Sequence, residues 1–248
     1  MAETAVILFV TFLLAGTVKG VVGLGFPTVS LALLTLAFGL KDAMAMLIVP
    51  SLLTNIWQAG VGGQLGAILK RFWPLLITTC IGVFAGAWVL AGSDAVGLTV
   101  LLGVLLIAYA VYGLATPVFP SPGRHETWLS PVVGLLSGVV TGLVGIFLMP
   151  SVPYLQAIGL KRDHLVQAMG VFFTVSTAAL GVALGGFGVM TGDLAVWSVA
   201  GIVPGILGMA IGQRIRQRLD ENRFRLVLLV AILVMGLVVA VKALALEW

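Results

Sequence analysis

Charge is scarce in this chain. Of its 248 residues, 9% are Asp, Glu, Lys or Arg, against about 25% in an average soluble domain. The remainder is 60% hydrophobic, and the mean hydropathy is +1.20. So little polar surface cannot cover a globule in water. Cysteine is almost missing as well. Cys80 stands alone, which excludes an intrachain disulfide and leaves a small apolar packing residue. With two histidines and nine acidic residues, mostly at loops, neither a Cys/His metal cluster nor a carboxylate pair for hydrolysis is easily assembled. H-E-x-x-H, Walker A and G-x-S-x-G are all absent. No cofactor, metal or catalytic residue is expected, and an enzyme is the weaker class. The net charge of +4 and pI near 9.6 do not imply nucleic acid, because basic residues in a membrane protein mark its cytoplasmic loops.

What is present is long apolar sequence. Runs cover Thr4–Val18, Phe72–Ala91, Ala95–Ala115, Val132–Val144, Leu194–Ile211 and Leu226–Ala240. A helical span needs ~20 largely apolar residues. The alternation that marks an outer-membrane barrel is missing, so the expected fold is an all-α integral membrane protein. The first run follows Glu3 and has neither a basic flank nor a cleavage signal, so it reads as a retained helix.

The sequence repeats itself. Gly16-x3-Gly20-x2-Gly23 returns as Gly138-x3-Gly142-x2-Gly145 at an offset of 122. A proline follows each, Pro27 and Pro150. "FGLK" (Phe38–Lys41) then meets "IGLK" (Ile158–Lys161) at an offset of 120, Thr54 falls on Thr174, and Gly82/Gly86 roughly meet Pro204/Gly208. Residues 1–120 and 121–248 are read as two copies joined by the proline-rich linker Thr116–Glu126. Each copy divides into five apolar segments: 4–24, 26–40, 43–60, 72–92 and 95–115, then 128–146, 149–160, 164–189, 193–213 and 223–246. The second of each set is short. As helices they would reach ~22 and ~18 Å, less than the ~30 Å hydrocarbon core. They are half-helices, tilted short spans, or limbs of re-entrant hairpins.

If the basic stretch Arg214–Arg225 is cytoplasmic, counting back places ten Lys/Arg inside and two, Lys41 and Lys242, outside, with Lys19 within a span. This fits the positive-inside rule. Each half then makes an odd number of crossings, so the copies have inverted topology, a construction common in secondary transporters.

The glycine motifs suggest where a substrate binds. Glycines four apart allow close helix packing in lipid, and for Gly16/Gly20 and Gly138/Gly142 that is explanation enough. Gly23-x-Gly25 before Pro27, and Gly145 before Pro150, point further, to a chain leaving one helix and starting another. A helix N-terminus carries about half a positive charge and unpaired N–H groups. Two such ends related by the pseudo-two-fold suit a small anion. Lys19 either snorkels to the interface or faces the cavity as an anion contact. Asn55, Gln58 and Gln167 lie deep in apolar sequence, where they bond neighbouring helices or line the substrate path. Tyr154 is an interfacial aromatic or a further contact. His164, beside Asp163, belongs to a solvated loop cluster or couples transport to protons. Oligomeric state stays open, with a homo-oligomer as one arrangement.

The stretches "GTVKGVVGLGFP" and "GVVTGLVGIFLMP" resemble the TauE/SafE family of sulfite-exporter-like permeases, as does "PYLQAIGLKRDHLVQAMG" (Pro153–Gly170). The likeness runs over nearly the whole chain. It implies a multi-pass inner-membrane transporter, built from a duplicated unit, that moves sulfite or an organosulfonate. The expected function is secondary transport of such an anion, in the direction of export, by alternating access. A passive channel and a membrane-embedded assembly factor or enzyme are the alternatives.

Overall fold

The computed structural model of the chain describes residues 2–115, 120–216 and 221–245. Residues 116–119 of the expected linker and 217–220 of the basic stretch lie outside the described residues. No strand occurs among the described residues, and the all-α reading holds. The helices are α1 (Ala2–Val22), α2 (Phe26–Phe38), α3 (Leu40–Met46), α4 (Ile48–Gly60), α5 (Leu65–Gly92), α6 (Ala95–Ala115), α7 (Glu126–Val144), α8 (Ser151–Ala157), α9 (Arg162–Gly186), α10 (Gly192–Ala200), α11 (Ile202–Arg216) and α12 (Glu221–Ala245). Seven stretches among the described residues are long and apolar enough to cross a membrane, with α3 and α4, bent by 46°, as an eighth.

Prolines explain two departures from the expected segments. Segment 43–60 is split at Leu47 into α3 and α4, and 193–213 is split at Gly201 into α10 and α11. Pro50 and Pro204 each stand four residues after the last helical residue before the break. A proline supplies no N–H to the carbonyl four residues back, and its ring crowds that carbonyl.

The chain forms two compact units, and neither is a half of the sequence. The first takes α1–α3, α6 and α10–α12; the second takes α4 from Leu52 onward, α5 and α7–α9.

In the first unit α1 lies directly on α11. A Cβ added at Gly16 would collide with the carbonyl oxygen of Gly205, and one at Gly20 with that of Met209. From the other side, Gly208 and Gly212 would strike the carbonyls of Leu13 and Thr17. Both registers advance together, so the two helices are parallel. α6 and α12 cross antiparallel: Gly103 meets Gly236, and Gly113, ten residues on, meets Leu229. Lys41 Nζ donates to the Ser93 carbonyl at 3.1 Å and Lys242 Nζ to the Leu36 carbonyl at 2.8 Å. These two lysines mark one end of the unit. Arg225 donates to Gly113 O at 3.4 Å at the other end, where α11 finishes with Arg214 and Arg216.

The second unit repeats this construction with other helices. Gly134, Gly138 and Gly142 of α7 face the carbonyls of Leu75, Thr79 and Val83, and Gly82 and Gly86 of α5 face those of Leu135 and Val139. This pair is also parallel, and a bidentate ion pair ties its two starts together. Arg71 Nε and Nη2 donate to Glu126 at 2.6 and 2.7 Å. α4 and α9 are antiparallel, with Gln58 bonded to Val166 and Asn55 to Thr177. Lys70, Arg71, Arg124, Lys161 and Arg162 thus collect at one end of the unit, around the starts of α5, α7 and α9. Trp57, Trp73 and Trp88 are exposed, as suits side chains that face lipid.

Bulk at the glycine contacts should separate the paired helices. Gly138→Leu is expected to lower stability by about 2–3 kcal/mol or more, the cost of forcing an overpacked contact. Gly97→Leu, where a Cβ meets nothing within 4 Å, serves as control. Thermal unfolding in detergent compares the two.

Candidate functional site

The break in the first unit is built from ten consecutive residues. α1 ends in a left-handed turn at Gly23 (φ +82°), whose N–H bonds the Lys19 carbonyl at 2.7 Å. Gly25 (φ +96°) turns the chain again and serves as the N-cap of α2. A side chain with a Cβ would be strained at either position. Pro27 occupies the first turn of α2, where its missing N–H costs nothing. The first helical bond runs from Val29 N–H to Gly25 O at 2.9 Å, so the N–H groups of Phe26 and Thr28 have no intrahelical acceptor. Phe26 stacks on Phe12 of α1 with centroids 5.9 Å apart, which fixes where α2 begins.

Two polar groups in this joint are removed from solvent. Lys19, in the last turn of α1, is 5% exposed. That burial is unlike a side chain reaching for the interface. Thr28, on the first turn of α2, is 2% exposed, and its Oγ1 has no hydrogen-bond partner among the described residues. Sequence reasoning passed over Thr28. The available signal was its place directly after "GLGFP", where a hydroxyl joins the free end of a helix.

The break in the second unit begins alike and then diverges. Gly145 (φ +72°) closes α7 with its N–H on the Thr141 carbonyl at 2.8 Å. Thr141 Oγ1 then donates to Ile146 O at 2.9 Å. Beyond this turn the chain runs back along α7. Tyr154 on α8 meets Ser130 Oγ at 2.6 Å and donates to the Glu126 carbonyl at 3.3 Å. Both partners lie near the start of α7, so nine residues after Gly145 undo most of the length of that helix. The chain between α7 and α8 is not helical, with a bend and a turn at 148–150, and so is not held to the 1.5 Å rise per residue of a helix. α8 itself has seven residues, fewer than the twelve of the expected segment 149–160. Pro150 is its N-cap.

The deep amides hold helices together. Gln58 Nε2 donates to the Val166 carbonyl at 3.0 Å, and Gln167 Nε2 to the Ala59 carbonyl at 2.9 Å. Each glutamine thus bonds the backbone of the helix that carries the other, where α4 ends and α9 begins. Gln167 Oε1 also accepts from Gln64 N–H at 2.9 Å. Asn55 Nδ2 donates to Thr177 Oγ1 at 3.3 Å nearer mid-helix. The predicted site residues therefore form separate groups: Lys19, Gly23, Gly25 and Pro27 in the first unit; Gly145, Pro150 and Tyr154 along the return in the second; and Asn55, Gln58 and Gln167 between α4 and α9.

Among the described residues no group of three or more His, Cys, Asp or Glu is placed to hold a metal ion. The arrangement offers apolar spans, two broken helices and a buried lysine in the last turn of the helix before the first break. A family model described as "Sulfite exporter TauE/SafE" matches residues 8–239. The chain belongs to this family. Membership makes it a multi-pass membrane transporter of sulfur-containing anions, with a small anion and the lipid bilayer as its partners. No curated protein and no solved structure matches the chain. In this TauE/SafE member the joint at residues 19–28 combines two left-handed glycine turns, a buried lysine and a buried hydroxyl without a partner.

The glutamine bonds between α4 and α9 have a checkable consequence. Gln167→Leu strands the Gln64 N–H and the Ala59 carbonyl, and is expected to cost about 1–3 kcal/mol, the penalty for leaving a buried polar group unpaired. Gln58→Leu loses one donor and should cost less. Thermal melting of the two variants gives the order.

Proposed function

We propose that the protein is a secondary transporter that exports sulfite or a small organosulfonate across the inner membrane by alternating access. The observation that carries this reading is the joint of the first unit. There a helix start with free N–H groups, the unpartnered Thr28 hydroxyl and the buried Lys19 ammonium lie within ten residues of one another. Backbone N–H groups, a hydroxyl and an ammonium are all donors, and a sulfur oxyanion has only acceptors. Lys19 sets the charge, Gly23 and Gly25 shape the turn, Pro27 starts the helix, and Thr28 donates its hydroxyl proton. Gly145, Pro150, Tyr154, Asn55, Gln58 and Gln167 form the frame of the second unit, with their donors engaged mainly by the protein itself.

The halves 1–120 and 121–248 are proposed to be inverted copies. Two facts support this. The breaks close alike, Gly23 on Lys19 O and Gly145 on Thr141 O, at matching sequence positions. The glycine pairs are also exchanged between halves, with α1 on α11 and α7 on α5, each parallel. The basic ends are proposed to face the cytoplasm, following the positive-inside rule. An anion leaving a negative interior then gains about 2.3 kcal/mol per charge per 100 mV. Proton coupling and assembly into a homo-oligomer belong to the same proposal.

Flux in proteoliposomes tests the reading. Sulfite, thiosulfate and simple sulfonates are offered with and without an imposed pH gradient or membrane potential. Saturable flux of at least one is expected. Lys19→Met and Thr28→Val should each weaken apparent affinity about tenfold or more, the factor that corresponds to a charge-assisted hydrogen bond of ~1.5–3 kcal/mol. Non-saturable flux would indicate a channel, and unchanged affinity in both variants would remove the site.

A further inference from the structure

The corner between α2 and α3, closed by the first turn of α6, holds a cavity of about 190 Å³. It lies within the first unit, at the end that carries Lys41 and Lys242. Its wall includes Thr35, Phe38, Lys41, Asp42, Val96 and Thr99. Four of these bear polar groups, and two of them, Lys41 and Asp42, have capacity left over for a ligand. Lys41 gives one hydrogen to the Ser93 carbonyl, and an ammonium has three. The Asp42 carboxylate has no hydrogen-bond or ion-pair partner among the described residues, although Lys41 precedes it in the chain. Thr35 is 2% exposed, and its Oγ1 is buried without a hydrogen-bond partner. Thr99 Oγ1 is already committed to the Ala95 carbonyl at 2.7 Å.

The charges select the ligand. A bare anion drawn to Lys41 meets the Asp42 carboxylate in the same wall. A bare cation drawn to Asp42 meets the Lys41 ammonium. A molecule with both an anionic and an ammonium end satisfies each, and its spacer lies against Phe38 and Val96. The volume of about 190 Å³ suits a small molecule, being well above the ~10–15 Å³ that one water needs.

We propose that this corner is a binding site for a small zwitterion, with its anionic group on Lys41 and its ammonium on Asp42. The proposal is independent of the joint at residues 19–28. The same chemistry occurs in a free ω-amino acid and in the phosphoethanolamine headgroup of a lipid.

The test uses the full chain in phosphatidylglycerol nanodiscs, with β-alanine as the probe and thermal stabilisation as the readout. Saturable stabilisation by β-alanine is expected. Propionate and ethylammonium should bind about tenfold more weakly or worse, and Asp42→Asn and Lys41→Met should weaken β-alanine by a similar factor. If Lys41→Met fails to fold for want of its Ser93 bond, Asp42→Asn decides alone, since that carboxylate holds no partner to lose. No stabilisation at high millimolar β-alanine, propionate binding as well as β-alanine, or an unchanged Asp42→Asn titration would each overturn the proposal. Adding phosphatidylethanolamine to the discs identifies the source. Competition with β-alanine points to the headgroup, and an unaltered titration to the free solute.

Discussion

Backbone-to-backbone contact between helices is the constraint on which this protein depends. In lipid the hydrocarbon around a helix is as apolar as the leucines it carries, so burial of apolar surface does little to bring helices together. Packing and polar contacts must do so. Here the packing is pushed to its limit. At Gly16, Gly20, Gly208 and Gly212, and again at Gly82, Gly86, Gly134, Gly138 and Gly142, a single methyl group would overlap a carbonyl of the facing helix. Such proximity leaves one register for each pair. The flanking polar groups, including the Arg71–Glu126 ion pair, need only agree with it.

Close parallel pairing has a second consequence. Helices that cross in the same direction cannot be neighbours joined by a short loop, so each must find its partner elsewhere in the chain. α1 finds α11 and α5 finds α7. Compact units assembled from segments that are not consecutive in the sequence follow from that need.

With helix contacts this demanding, irregular chain is confined to places where something else holds it. Gly23–Gly25 is bracketed by the Phe12–Phe26 stack, and 145–150 by the bonds of Thr141 and Tyr154. Unwound backbone within a membrane protein is tolerated when protein or water, and not lipid, surrounds it. The two breaks start from the same left-handed glycine turn but end differently. One opens a helix of thirteen residues and the other a helix of seven. Lys19 at the first break, where the second has Thr141, accompanies that difference. Thr28 at the first break keeps a hydroxyl without a partner, while Thr141 and Tyr154 at the second bond their own chain.

Much of this was legible in the sequence, because composition and local chemistry decide it. Apolar length defined the spans, since nothing else satisfies backbone groups in hydrocarbon. Positive-φ turns required Gly23, Gly25 and Gly145, and the segregation of basic residues marked the ends. The breaks at Leu47 and Gly201 could have been placed from Pro50 and Pro204, four residues further on. What the tertiary structure alone decided is partnership: which glycine faces which carbonyl, that Gln58 and Gln167 each bond the backbone of the helix that carries the other, that Tyr154 returns to Ser130, and that Thr28 is left without a partner. These contacts join residues separated by two dozen to nearly two hundred positions. Periodicity and spacing report only a residue's own helix, and a hydrogen bond or a helix contact is a property of two.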